Sequence, residues 1–327
     1  MRVCVFGLGA IGGLVAARLG RAGVDVVAVA RGATSRAVRE RGGLVLVEAA
    51  GGSERIPLDV VEDAAELGGP PDVVVIAVKA TALPGAAAAI GRAVGPRSVI
   101  VPAMNGVPWW FFHGLGRDVR LESTDPGRSV SSVLPPGQVV GSVLHLAASC
   151  PGPGVVRHTA GERIILGEPL GGGSERVEAI AGPLRRAGFD VEVAERIQRA
   201  VWFKLWGNMT MNPLSVLTGA TMDRILDDPL VRAFATACMR EAADVGARIG
   251  LPIDTDPEDR HAISRGLGAV RTSMLQDAEA GRPVELDALV TSVTELGRAV
   301  GVPTPSIDAL LGLARLNAQV RGLYPAG

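Results

Sequence analysis

The sequence predicts an α/β protein in which an N-terminal doubly wound parallel sheet precedes an all-helical C-terminal domain. Three observations lead there. The chain opens with strand, glycine-rich turn, helix and strand within about thirty residues, the span of a parallel crossover unit. Its early strands are continuous Val-rich runs, as expected of a sheet covered on both faces. Beyond Glu195 no convincing strand follows, and apolar residues recur at helical spacing.

Taken in order, residues 3–6 are a short apolar run that stops at Gly7, and 14–21 have helical spacing closed by Gly23. Residues 24–30 form the second strand. Residues 72–78 (DVVVIAV) and 98–101 continue the strand and helix alternation, which is expected to run to about residue 120. From 125 to 170, short Val/Ser/His segments between Pro-Pro-Gly and Pro-Gly-Pro-Gly turns read as antiparallel strands that finish the sheet. A helix over 174–187 and a last strand over 189–193 follow. Helices are predicted over 196–218, 229–250, 256–280 and 284–300, with a final one from Ser306. The predicted domains are therefore 1–194 and 195–327, and no internal repeat is present.

Composition narrows the function classes. With 47% hydrophobic and 20% charged residues, the chain has material for a sizeable core and too little polarity for disorder. A net charge of -1, with arginines scattered along the chain, points away from nucleic acid and from an anionic membrane surface. Cys4, Cys150 and Cys238 have neither metal-ligand spacing nor the makings of a disulfide framework, so no metal is expected and a reducing, cytoplasmic setting is the simplest reading. The apolar N-terminus is broken by glycines and lacks a clear cleavage site, which argues against a signal peptide. The long uncharged stretches 98–116 and 129–156 contain several Pro and Gly and make no membrane helix.

Gly7-Leu8-Gly9-Ala10-Ile11-Gly12 matches G-x-G-x-x-G between a strand and a helix, the context that gives this otherwise weak pattern its meaning. The first glycine permits the tight turn, the second lets backbone approach a pyrophosphate, and the third lets helix and strand pack closely. A dinucleotide site in a Rossmann-type domain is expected. At the end of the second strand stands Arg31, where an NAD site usually has an acid, and Arg36 follows. A guanidinium there suits the 2′-phosphate of NADPH through forked, charge-assisted bonds. The competing reading of Arg31 is a solvated loop residue.

The most informative segment is 201–214 (VWFKLWGNMTMNPL). In an apolar and therefore buried helix, Lys204, Asn208 and Asn212 are spaced four apart and share one face. A lysine and two amides among apolar neighbours are costly unless partnered, so the stripe reads as facing a polar ligand. An exposed polar stripe is the alternative, opposed by the flanking Trp, Phe and Met residues. Lys204 suits hydride delivery to a carbonyl, stabilising the developing alkoxide and acting as general acid. In 271–289 (RTSMLQDAEAGRPVELDAL), Ser273 is a candidate donor to a substrate carboxylate, and Glu285 a candidate to bind a substrate hydroxyl or hold Lys204. A helix cap for Ser273 and a solvated acid for Glu285 or Asp287 stand as equal alternatives.

Together these pieces resemble the ketopantoate reductase family over almost the whole chain. The shared marks are GLGAIGG at 7–13, Lys79 within AVKA, Asn105-Gly106, GPGVVRHT at 152–159, KLWGNMTMNP at 204–213, and SMLQD with E-L-D at 273–287. The resemblance implies that Lys204 is the catalytic lysine and Glu285 the acidic active-site residue. It implies that Asn208, Asn212 and Ser273 bind substrate, that Lys79 and Asn105 lie at the nicotinamide end of the cofactor, and that Arg31 favours NADPH. The implied reaction is reduction of 2-dehydropantoate (ketopantoate) to pantoate, a step toward pantothenate. Two features depart from the pattern: Met104 where Gln is frequent, and the aromatic run Trp109-Trp110-Phe111-Phe112 before His113. That run suits either a wall for a larger apolar substrate or a packed loop, and His113 reads more readily as a packing or surface residue than as a catalyst. Two other functions stay open: a paralogous reductase of another carbonyl or imine, and an NADPH sensor without turnover, for which Lys204 with Glu285 would have no use. The substrate is expected in an interdomain cleft, and a homodimer through the apolar helical domain is a candidate assembly.

Overall fold

The computed structural model describes residues 1–325. By backbone contacts it divides into two compact units: Met1–Met104, Trp110–Gly116 and Arg128–Ala200 form the first, and Asn105–Trp109, Arg117–Gly127 and Val201–Gly327 the second. The predicted boundary was a single point near 194. The observed one falls inside a helix, and two short segments from the irregular stretch after residue 104 count with the second unit.

The first unit is built on a parallel sheet. It begins with β1 (Arg2–Phe6), α1 (Ala10–Arg21), β2 (Asp25–Val29), α2 (Gly32–Arg41), β3 (Leu44–Val47), β4 (Ser53–Ile56) and β5 (Asp59–Val61). It continues with β6 (Val73–Ile76), α3 (Leu83–Gly91) and β7 (Val99–Pro102). Strands β5-β2-β1-β6-β7 pair in that order and all in parallel. The order reverses between β1 and β6, and in an open parallel sheet ligands bind outside the carboxyl ends of the strands at such a reversal. Every residue of β6 is buried, in keeping with the uninterrupted apolar run that predicted it.

The expected alternation to residue 120 does not occur. After β7 the chain runs through turns and short 3₁₀ pieces to β8 (Gly141–Gly152), which forms an antiparallel hairpin with β9 (Val155–Gly167). Nor does the hairpin finish the first sheet. Val139 makes one isolated bridge to Ile100 of β7, and the chain then leaves. A second sheet forms in the order β10-β9-β3-β4, with β8 on β9; α4 (Glu175–Arg186) precedes its last strand, β10 (Asp190–Val193). The physical reason is α1, which packs on this sheet as well: a Cβ on Gly13 would lie 3.3 Å from Val156 of β9 and 3.6 Å from Leu44 of β3. Arg18 of α1 is buried and bonds Glu48 through both carboxylate oxygens, His158 at 3.0 Å and Glu162 at 3.3 Å. The histidine of the GPGVVRHT motif therefore belongs to a structural ion network.

The second unit is helical. Its elements are α5 (Ile197–Thr218, which starts in the first unit), α6 (Met222–Asp227), α7 (Pro229–Arg248), α8 (Pro257–Gly266), α9 (Ser273–Glu279), α10 (Ser292–Val300) and α11 (Pro305–Val320). The single helix expected over 256–280 is two helices. Gly268, at φ +77°, turns the chain after α8, and the Thr272 hydroxyl, accepting from Leu275 N, starts α9 afresh. Before α10, residues Asp287–Thr291 form a π-helical turn. Among the described residues no helix is long and apolar enough to cross a membrane.

Candidate active site

The first unit carries the features of a dinucleotide site. Gly7 directly follows β1 and has φ +93°, a conformation that costs only glycine little. A Cβ on Gly12 would sit 1.9 Å from the Gly7 carbonyl oxygen, so the third glycine is fixed by helix packing against the turn. A Cβ on Gly9, by contrast, would meet no protein atom within 4 Å. That open approach lies at the N-cap of α1, which has no side-chain cap and no acid in its first turn. Unsatisfied N–H groups and the positive end of the helix are thus left for an anion, and the residues present fit a pyrophosphate.

Arg31 directly follows Ala30 at the end of β2, is exposed, and acts as N-cap residue of α2. Its Nε reaches the Glu62 carbonyl at 3.5 Å, which leaves most of the guanidinium fork uncommitted. Lys79 lies just past β6, on the other side of the strand-order reversal from β2, and is exposed.

The candidate stripe of Lys204, Asn208 and Asn212 lies in the second unit. Trp206 donates to the Met239 carbonyl of α7 at 2.7 Å, and Trp202 and Trp206 are both 1% exposed. These anchors fix the rotation of α5, and residues 204, 208 and 212 project from the opposite side of the helix. The lysine is half-buried, and its Nζ donates to Oδ1 of Asn105 at 2.9 Å. Protein atoms around the ammonium remove enough water to lower its pKa to about 8, against the opposing pull of the Glu285 carboxylate. Glu285 is buried at 6% exposure. Asn212 is buried at 5% exposure, and its side-chain amide bonds no other described residue. Its carbonyl accepts from Ser215 Oγ at 2.7 Å.

The second unit also sets the loop that carries Asn105. In the π-helical turn the Ala288 carbonyl accepts from Val107 N at 2.9 Å and from Ser292 Oγ at 2.9 Å. Gly106 has φ +86°, and a Cβ there would fall 2.3 Å from that carbonyl oxygen. Two residues from Glu285, the wide turn thus exposes an acceptor that pins Asn105 beside Lys204. The sequence carried the glycine as a signal but gave no sign of the π turn.

Ser273 is exposed at the first turn of α9, and Thr272, not Ser273, is the cap. Thr272 Oγ1 lies 2.6 Å from Ser215 Oγ, which ties the start of α9 to α5 three residues past Asn212. No bond joins Ser273 itself to the lysine or the asparagines. In the aromatic run, Trp110 and Phe111 are buried at 1% and 0% exposure, with Trp110 packed against Gly141, so these two serve the core. His113 takes part through its backbone, its carbonyl accepting from Gln198 at 3.0 Å. Arg260 of α8 was passed over in the sequence: it stands against Phe203 and Gly207 of α5.

Comparison with known proteins agrees with this layout. Residues 3–171 match the model of ketopantoate reductase PanE/ApbA, and residues 196–318 match the model of its C-terminal domain. A 2-dehydropantoate 2-reductase of Mesorhizobium japonicum is 43% identical over 328 residues, covering 99% of this chain and 100% of that protein. A crystal structure from Ralstonia solanacearum MolK2, provisionally assigned as a ketopantoate reductase, superposes with a TM-score of 0.94 at 53% identity and covers 99% of both chains. The 2-dehydropantoate 2-reductase of Methylococcus capsulatus gives a TM-score of 0.84 at 29% identity over 98% of each chain. The chain is therefore a member of the ketopantoate reductase family, a family of oxidoreductases.

Proposed function

We propose that the chain reduces a small 2-oxo acid, 2-dehydropantoate in the first place, with NADPH as reductant. The observation that carries this reading is Lys204: a partly desolvated ammonium held by Asn105 at 2.9 Å, balanced by Glu285, in a row with two amides. NADPH supplies a hydride when bound; residues Gly7–Gly12 would hold its pyrophosphate and Arg31 its 2′-phosphate. The chain's own part is acid catalysis and orientation. Lys204 Nζ donates to the carbonyl oxygen of the substrate, stabilises the negative charge that gathers there, and passes it a proton, so that the ketone leaves as an alcohol and the lysine as a neutral amine. Glu285 keeps the lysine protonated near neutral pH. Asn208, Asn212 and Ser273 bind the remaining polar atoms of the substrate.

Leu313, Leu316 and Val320 form an apolar stripe on α11, at 59%, 60% and 81% exposure, and support a homodimer through the helical unit. Cys4, Cys150 and Cys238 are all free thiols, which fits a cytoplasmic setting. The test of the function is NADPH oxidation over a panel of 2-oxo acids that includes 2-dehydropantoate. The reading expects the highest kcat/KM on that acid or on a close branched relative. No turnover of any 2-oxo acid, with NADPH nevertheless bound, would favour the sensor.

A further inference from the structure

Arg260 is a cation that the proposed chemistry does not use. It projects from α8 onto α5, its guanidinium carbon 5.4 Å from the centre of the Phe203 ring. A Cβ on Gly207 would lie 3.2 Å from one Nη and 3.3 Å from Nε, so the absence of a side chain at 207 makes room for the group. Nε is buried with no hydrogen-bond partner. Among the described residues no carboxylate pairs with it. Of the two acids that precede it on its own helix, Glu258 is taken by Thr236 at 2.9 Å and by Arg232 at 3.7 Å, and the adjacent Asp259 is exposed and makes no ion pair with it. Burial alone acts on its pKa and lowers it. A partly desolvated guanidinium without a counter-ion is costly, and a stack on Phe203 does not replace the hydrogen bonds its fork has lost.

Position 207 is three residues from Lys204 and one from Asn208, so Arg260 borders the catalytic stripe on the helix surface. We propose that Arg260 is a specificity-determining residue that binds the carboxylate of the 2-oxo acid substrate through its guanidinium fork. This rests on the proposed reductase function. It gives the site a cationic anchor at the acid end of the substrate, while Lys204 serves the ketone oxygen. Forked Arg–carboxylate pairs have the geometry and strength for the task.

The experiment compares wild type, Arg260→Leu and Arg260→Lys in NADPH oxidation, using one 2-oxo acid turned over by the wild type and its methyl ester. Loss of a charge-assisted pair should raise KM for the acid by roughly 10- to 100-fold in Arg260→Leu, with kcat changed much less. KM for the ester should stay within about twofold of wild type, and Arg260→Lys should recover part of the loss, because a point charge replaces a fork. A purely structural arginine would affect acid and ester alike. Equal losses on both substrates, or an unchanged KM for the acid in Arg260→Leu, would overturn the proposal. A wild type inactive on every 2-oxo acid would instead overturn the function on which it rests.

Discussion

The pKa of Lys204 is lowered to about 8 because desolvation, which favours the neutral amine, outweighs the Glu285 carboxylate, which favours the ammonium. The sign of the pH dependence follows. Below about 8 the lysine carries the proton that ketone reduction needs, so kcat for reduction should hold on the acid side and decline as pH rises through about 8. Alcohol oxidation should show the reverse trend. Glu285→Gln removes the influence that raises the pKa, and the midpoint of its kcat–pH profile should move below 8; a move upward would refute the role given to Glu285. At the cofactor, Arg31→Glu should cut the preference for NADPH over NADH by about tenfold or more, as expected for a lost charge-assisted phosphate contact. An unchanged ratio of kcat/KM values would show that the 2′-phosphate is read elsewhere. The stripe Lys204, Asn208 and Asn212 was legible because helical period and spacing of four coincide within one segment. The Lys204–Asn105 bond was not, since its partners are 99 residues apart and no local pattern links them. Arg260 was hidden for a similar reason: PEDRHAISRG reads as a solvated helix, and only Gly207 on another element hints that something large packs there.

At the scale of elements, the π-helical turn Asp287–Thr291 and the loop at Gly106 act as a pair. The turn gives the Ala288 carbonyl to Val107 N, and Gly106 lets the backbone pass close enough to receive it. Gly106→Ala combines a Cβ 2.3 Å from that oxygen with a φ of +86°. It should displace Asn105 and lower kcat by roughly tenfold or more, while the thermal unfolding midpoint falls only a few degrees, as for a strained loop residue. Full activity in this variant would show that Asn105 does not position the lysine. Helix existence was readable throughout the C-terminal half, because the apolar period of an α-helix is strong there. The break between α8 and α9 was not, since the apolar pattern of 256–280 continues across it and only Thr272 marks the restart.

For the whole molecule, the sequence indicated the parallel sheet and the helical half, because buried strands and amphipathic helices differ in period. It did not indicate the second sheet. Strands β3 and β4 are short, and β3 pairs with β9 more than a hundred residues away, a non-local match that periodicity cannot reveal. The exposed stripe on α11 belongs to the same scale. Leu316→Glu should convert a dimer to a monomer by sedimentation at micromolar concentration, with its secondary structure kept; a wild type that sediments as a monomer would contradict the proposed interface. The proposed reduction depends on the helical unit presenting a protonated lysine to the oxygen of the carbonyl. The most direct test is the single-turnover rate of NADPH oxidation with 2-dehydropantoate in wild type and Lys204→Ala, alongside NADPH affinity measured by nucleotide fluorescence. The expected result is a rate lower by roughly 10²- to 10⁴-fold with affinity for NADPH unchanged. A Lys204→Ala protein that turns over at the wild-type rate would contradict it.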